Sequence, residues 1–326
     1  MAPSLPEALR LRSLAFEVIG AFFRSRGFVE VDAPLLLGGV PVESFVEVFR
    51  VPLSRLGGSE IRFLPPSPEQ ALKRALALLG SDCFEIGHAF RDGEEEGPLH
   101  RAHFRMIEWY RVNAGLQAIV EDTVDLFRTL DRAFRTRSTP PLPDLPVDIH
   151  GPWEAISVPE AVERHAGVPI RGPEDLDRLA DVVRARGLGD PRSWQEAFCI
   201  LLALEVEPHL GHGRPTILHS YPSGLAAQAR PLPDAPWLAD QFEVWVEGVE
   251  LGNSYAEITD PEAQARRFEE ETRRFEALGR VPPALDRDYL DALGRLPRDC
   301  AGGSVGLDRT LMLFLGAESI DQVRLG

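Results

Sequence analysis

Three observations predict an α+β fold in which an antiparallel β-sheet is flanked by helices. Strand-like segments are scattered along the chain with helices between them. Regular βαβ alternation is missing, and residues 84–110 and 242–251 each read as two strands folded back on one another. With 326 residues, 44% of them hydrophobic, the chain has ample apolar material for a sizeable core.

The elements follow in order. Leu14 to Phe23 is apolar apart from Glu17, and its helical spacing fits a core-facing amphipathic helix over about 5–26 better than a signal peptide. The helix ends at Gly27, and Phe28 to Asp32 alternates like a strand up to Pro34. Residues 68–80 read as a helix opening on Pro68, a good first-turn residue. The 84–110 strand–loop–strand follows, and then a long helix over 113–137. Ser138-Thr139-Pro140-Pro141-Leu142-Pro143 is the best candidate boundary. Short helices over about 157–211 are expected to form an insertion packed against the main body of a single domain spanning 1–326. Strands resume at Thr216–Leu218 and Phe242–Leu251. A charged helix covers 261–278, and a Gly-rich turn feeds a final helix.

The formal charge is −16, and Lys73 is the only lysine among 35 basic residues. An acidic chain without a Lys/Arg run lacks the electrostatic footprint of a nucleic-acid binder. Cys83, Cys199 and Cys300 are far apart and form no CxxC pair, which fits a reducing cytosol. No stretch approaches the roughly 18 apolar residues of a membrane span, so a soluble cytoplasmic protein is expected.

Residues 84–110 carry the densest chemistry. Arg91 enters an acidic, Gly/Pro-broken loop, and the chain returns through His100, His103 and Phe104 to Glu108 and Tyr110. A guanidinium, imidazoles and a ring at one place suit a nucleotide phosphate and its base; the segment is equally an ordinary hairpin with a solvated loop. The 242–251 hairpin turns at Glu247-Gly248, setting Val246 against Val249, Trp245 against Glu250 and Val244 against Leu251. Glu243 then shares a face with Trp245 and Glu250, and the two carboxylates are diagonal neighbours roughly 7–8 Å apart at Cα. Both can reach one Mg²⁺, which takes one or two carboxylates plus substrate phosphates; the alternative is a solvent-facing acidic strand edge. Asn253, Tyr255 and Glu257 follow directly.

In Ala301 to Thr310 the glycines permit close approach of a flat ligand, and Arg309 sits near a helix start that attracts anions. Gly302-Gly303-Ser304-Val305-Gly306 also matches the G-x-S-x-G elbow of α/β-hydrolases. That fold needs a histidine after the serine, and the last histidine here is His219, so the hydrolase reading fails. His209-x-x-His212 has no third ligand nearby and reads as a helix end or loop. Arg266-Arg267 and Arg273-Arg274 read as a solvated face with Glu269, Glu270 and Glu271, and Trp109 and Trp245 as core.

Together these segments resemble the three signature motifs of class II aminoacyl-tRNA synthetases in the lysine-specific branch. Gly27 to Pro34 is similar to motif 1, Phe90-Arg91 through Glu108-Trp109-Tyr110 to motif 2, and Gly302 through Arg309 to motif 3. Pro66-Ser67-Pro68-Glu69 and Glu250-Leu251-Gly252-Asn253 match the two lysine-pocket segments of that branch. The nearest resemblance within the family is to truncated paralogues that attach a lysyl group to a lysine of elongation factor P. With motif 1 beginning at Gly27, no room is expected for an N-terminal anticodon-binding OB domain, and tRNA is a poor partner.

The resemblance implies ATP and Mg²⁺ as cofactors and a homodimer through motif 1. It implies that Arg91 bridges the amino acid carboxylate and the α-phosphate, that Glu94, His100 and Gly306 contact the nucleotide, and that Phe104 and Arg309 sandwich adenine. Glu243 and Glu250 would hold Mg²⁺, while Glu69, Glu108, Tyr110, Asn253, Tyr255, Glu257 and Ser304 line the pocket for lysine or β-lysine. The chain departs from the family at His103, where a carboxylate is usual, at Arg101, Arg105, Ser254 and Tyr255, at Ser304, where Gly or Ala stands, and by one extra residue in the Asp92–Leu99 loop. Two other readings use the same residues: an amino acid ligase of the same adenylate chemistry acting on another carrier or small molecule, and a non-catalytic regulatory paralogue that binds amino acid or nucleotide.

Overall fold

A computed structural model describes residues 3–55, 58–93, 96–139 and 141–325. Two compact units make up the chain, Met1–Leu145 with Glu257–Gly326, and Pro146–Ala256. Elements are numbered along the whole chain.

In the first unit, α1 (Leu5–Ser25) begins in a capping box, where the Ser4 backbone and hydroxyl both donate to the Glu7 carboxylate. It buries Leu11, Leu14, Ala15, Ile19, Phe22 and Phe23. Four strands, β1 (Val29–Glu30), β4 (Cys83–Phe90), β5 (His103–Val112) and β12 (Cys300–Gly306), lie in the order β1-β4-β5-β12. β1 runs parallel to β4, and the other neighbours are antiparallel. Successive residues of a strand face opposite sides, and each side has its own cover. Phe84 and Trp109 meet Phe23 of α1, with centroids at 4.9 and 5.3 Å. On that side α3 (Leu116–Arg137) packs beside α1, and its Phe127 and Phe134 meet Phe314 of α10 (Leu307–Leu315).

The opposite side has a different cover. There Cys83, Tyr110 and Cys300 pack with Leu72 and Leu76 of α2 (Glu69–Leu79), Phe268 of α8 (Pro261–Ala277) and Tyr289 of α9 (Arg287–Leu293). By alternation the same side carries Glu85, Gly87, Phe104 and Glu108. β2 (Arg50–Arg55) and β3 (Gly58–Phe63) form a separate hairpin.

Two sequence expectations are corrected here. The Gly-rich segment before α10 is not a turn: residues 300–306 form β12, paired with β5 from Cys300↔Val112 to Gly306↔Met106. Glycine is disfavoured in strands, but a Cβ at Gly302 would collide with the Tyr110 ring, so the close packing requires it there. Glu271 on α8 is also not part of a solvated face. It is 6% exposed, accepts the Ser44 N–H at 2.8 Å and pairs with Arg274.

In the second unit, β6 (Glu154–Ser157), β7 (Thr216–His219), β10 (Gln241–Val246) and β11 (Val249–Ala256) take the order β11-β10-β7-β6, with β6 parallel to β7. β8 (Pro231–Leu232) and β9 (Ala235–Ala239) pair separately. The short helices α4 (Val158–Ala161), α5 (Pro173–Leu176), α6 (Leu179–Ala185) and α7 (Trp194–Leu201) close over an apolar cluster that includes Val162, Leu179, Phe198, Leu201 and Trp245. The β10–β11 turn has Glu247 at φ 51 and Gly248 at φ 71, the left-handed pair of a type I′ hairpin. Val246↔Val249 and Trp245↔Glu250 pair as the sequence predicts, but Val244 pairs with Gly252 rather than Leu251. Leu251 is a β-bulge, an extra residue that carries Glu243 into register with Asn253. Among the described residues no helix is long and apolar enough to cross a membrane.

Candidate functional site

Arg91 leaves the end of β4 with its backbone N–H bonded to Ala102 O, which aims the guanidinium over Phe104 of β5 at 5.2 Å from the ring centroid. Arg309, in the first turn of α10, donates to Leu99 O at 3.1 Å and lies 2.7 Å from His100 Nε2. Two guanidinium groups and a half-buried ring therefore gather on the 91–104 loop, beside the N-terminus of α10 whose N-cap is Gly306. That set suits a phosphate and a flat base. Glu94 lies outside the described residues.

Further along the same sheet side, Glu108 is 3% exposed and accepts the Tyr110 hydroxyl at 2.5 Å. Across β12 its partner is Ser304. Burial, together with the charge of Glu69, pushes the Glu108 carboxyl well above the usual carboxylate range. Glu69 opens α2, and one turn later Lys73 binds both its carboxylate and that of Glu257, the latter at 2.5 Å. Burial alone would lower the Lys73 ammonium, yet Glu257 and Glu69 outweigh it and hold the group well above its ordinary value. The unit thus carries a buried carboxylate-rich cluster of Glu69, Glu108 and Glu257 with Tyr110, which already holds one ammonium group, that of Lys73.

Lys73 has no role in the sequence reading. The sign was available, since the only lysine of the chain stands four residues after Glu69 on a helix.

In the second unit, Glu243 accepts hydrogen bonds through Oε2 from the Tyr221 hydroxyl and from Trp245 Nε1, the latter at 3.2 Å. Burial and then the neighbouring Glu250 push its carboxyl well above the usual range, and Glu207 adds to the effect. Glu207 is itself pushed up to about 7, by burial and by Glu250. Neither Tyr221 nor Glu207 has a sequence signature. Among the described residues no group of three or more His, Cys, Asp or Glu forms a metal cage. Two crowded carboxylates fit Mg²⁺, which draws its remaining ligands from water and phosphate. Asn253 accepts the Gln241 amide at 3.1 Å, and Tyr255 packs against Ala226, Ala229 and Ala239.

His103 stands apart from all of these. It faces the α1 side, where its ring stacks on Phe90 at 4.7 Å and its Nε2 lies 2.8 Å from His88 Nδ1. Arg105 shares that side, bonded to His88 and Ile86 O and lying over Phe16. Its guanidinium is therefore turned away from the Phe104 ring, and Arg101 is taken up by Asp321 and Gly97 O. His209 stacks on His165 while His212 pairs with Glu247, so the two do not converge.

Residues 1–325 match the family of class II tRNA synthetases of the D, K and N type. The chain belongs to the class II aminoacyl-tRNA synthetase family. Members are ATP-dependent amino acid ligases, and the chain is a ligase of that kind. It is 33% identical over 301 residues to an elongation factor P–(R)-β-lysine ligase homologue of Aquifex aeolicus, covering 92% of each chain. With the elongation factor P–(R)-β-lysine ligases of Salmonella dublin and Salmonella paratyphi B it shares 30% identity over 325 residues, 98% of this chain and 94% of theirs.

Proposed function

We propose that the protein activates lysine or β-lysine with ATP as an aminoacyl adenylate and transfers it to a lysine side chain of elongation factor P in the cytoplasm. The observation that carries this reading is the order of groups on one side of the β4–β5 sheet. Arg91 over Phe104 lies at the loop end, and the Glu108–Tyr110 pair lies in the buried interior beside the Lys73-clamped Glu69 and Glu257. An ammonium-bearing amino acid is held by the carboxylates, with its own carboxylate directed toward Arg91. Near-full-length similarity to elongation factor P–(R)-β-lysine ligases supports the acceptor.

In the first step a carboxylate oxygen of the amino acid attacks the α-phosphorus of ATP, and pyrophosphate leaves. In the second, the unprotonated ε-amine of the acceptor lysine attacks the adenylate carbonyl, the bond from that carbon to the phosphate oxygen breaks, and an amide forms as AMP leaves and one proton passes to solvent. Arg91 bridges the reacting carboxylate and α-phosphate and stabilises the charge that gathers there; Phe104 and Arg309 enclose adenine, with His100 and Gly306 beside them. Mg²⁺ held by Glu243 and Glu250 supplies charge neutralisation for the phosphates. Asn253 and Tyr255 contribute to amino acid recognition. Ser304, directly across from Glu108, is the residue we assign to the choice between α- and β-lysine. A homodimer through the motif 1 segment completes the reading.

The test is transfer itself. Purified protein, ATP, Mg²⁺, elongation factor P and either lysine or β-lysine should yield factor heavier by one lysyl group by intact mass. An unmodified factor with both amino acids contradicts the assignment of the acceptor.

A further inference from the structure

We propose that Glu85 is a further residue of the amino-acid pocket, whose carboxylate joins that of Glu108 in holding the distal ammonium group of the substrate and loses a proton when that group binds. This rests on the proposed activation of a lysine-like amino acid.

Glu85 and Glu108 are cross-strand partners on β4 and β5, which places their Cβ atoms about 4.5–5.5 Å apart on one sheet side. They are 8% and 3% exposed. Each uses one oxygen internally, Glu108 Oε1 accepting from Tyr110 and Glu85 Oε1 from the Ala33 N–H at 3.3 Å. The second oxygen of each is buried and has no hydrogen-bond partner among the described residues. A buried carboxylate oxygen without a donor is costly, and native proteins rarely keep one without a use. Two of them side by side match an ammonium group, which has three N–H donors and a charge.

The surroundings leave this place to a ligand. The nearby lysine, Lys73, is already engaged by Glu69 and Glu257. A Cβ at Gly87 would lie 3.2 Å from Glu85 Cδ and 2.9 Å from Pro68 Cγ, so glycine keeps the Glu85 carboxyl uncrowded beside the start of α2. Asp32 and Glu30 act on Glu85 from the β1 side and Arg105 from β5, while Glu69, Lys73 and Cys83 act on the neighbouring Glu108 or the pair.

Burial, reinforced by Asp32 and Glu30 and opposed by the Ala33 N–H and Arg105, pushes the Glu85 carboxyl up to about 7. A large part of the unliganded protein therefore holds it as the acid at neutral pH. An incoming ammonium group favours the carboxylate, so the acid plus the ammonium substrate gives an ion pair plus one proton released to solvent.

Titration calorimetry of lysine and β-lysine into the full chain, in buffers of different ionisation heat, reads this directly. Wild type should release protons near neutral pH and bind more tightly as pH rises from about 6 to about 8. Glu85→Gln, with its fold checked by melting temperature, should release fewer protons and bind about tenfold more weakly, with a flatter pH profile. Gly87→Ala, which keeps the carboxylate but crowds it, should also weaken binding. Wild-type binding without proton release overturns the proposal, as does equal proton release by Glu85→Gln or unchanged affinity in Gly87→Ala. No binding of either amino acid removes the proposed function itself, and this inference with it.

Discussion

Lys73 Nζ lies 2.5 Å from Glu257 Oε2, with both side chains 1% exposed. Glu69 completes the clamp, and the Tyr289 hydroxyl lies 3.3 Å from Nζ. A buried ammonium between two carboxylates ties α2 to the segment that follows β11. Removing the cation leaves both carboxylates buried without it. Lys73→Met should therefore cost about 3–5 kcal/mol of folding free energy in denaturant titration. An unchanged unfolding free energy would show that the clamp is not structural.

Gly302 stands across β5–β12 from Tyr110, and a Cβ there would collide with the phenol ring. Gly302→Ala should tilt the ring and loosen its hydrogen bond to Glu108. The expected result is a loss of about 1–3 kcal/mol in stability, with a raised KM for the amino acid and little change in KM for ATP. Equal effects on both substrates would contradict this placement.

Glu243 sits where burial and Glu250 disfavour a negative charge, and both push its carboxyl up. A carboxyl raised on folding stabilises below its unfolded pKa, near 4.3, and that contribution is lost as pH rises through the folded value. At neutral pH this bias against the carboxylate is therefore a liability to the fold. Glu243→Gln should raise Tm at pH 7, with the gain shrinking toward pH 4. It should also increase the Mg²⁺ needed for half-maximal activity about tenfold or more. A lower Tm together with an unchanged Mg²⁺ requirement would refute the metal assignment.

His88 and His103 are both held below the ordinary histidine range, first by burial and then by Arg105 and Arg324 respectively. Arg12 also faces the pair, and Asp308, which Arg12 binds at 2.5 Å, opposes this shift at His103. Their folded pKa values lie below the unfolded value of about 6.5, so the stability they contribute is present above that pH and lost as pH falls through the folded values. Wild type should lose Tm as pH drops below about 6.5, and His103→Gln should flatten that loss. Identical profiles would assign the acid sensitivity elsewhere.

Much of this was legible where local physics decides. The apolar spacing of Leu14 to Phe23, Pro68 before α2, and Glu247-Gly248 at the hairpin tip each dictate their element. Contacts distant in sequence were not legible. The Leu251 bulge is marked only by the glycine that follows it, in a segment that otherwise alternates, so the Val244 pairing slipped by one. The Gly302–Gly303 run reads as a turn until the Tyr110 ring packed against it is known. Glu85 reads as an ordinary strand residue until its partner across β5 is seen to be Glu108. His103 was conspicuous, but its partner His88 lies across the sheet and Arg324 comes from the C-terminus.

The central claim is adenylate formation with a lysine-like amino acid at Arg91. Amino-acid-dependent exchange of labelled pyrophosphate into ATP tests it most directly. Lysine or β-lysine should support exchange in wild type, and Arg91→Ala, whose guanidinium touches the half-buried Phe104 ring and Pro66 O, should lose at least about 10²–10³-fold of it with little change in Tm. Exchange with no amino acid at all, or only with one lacking a side-chain ammonium, would contradict the account.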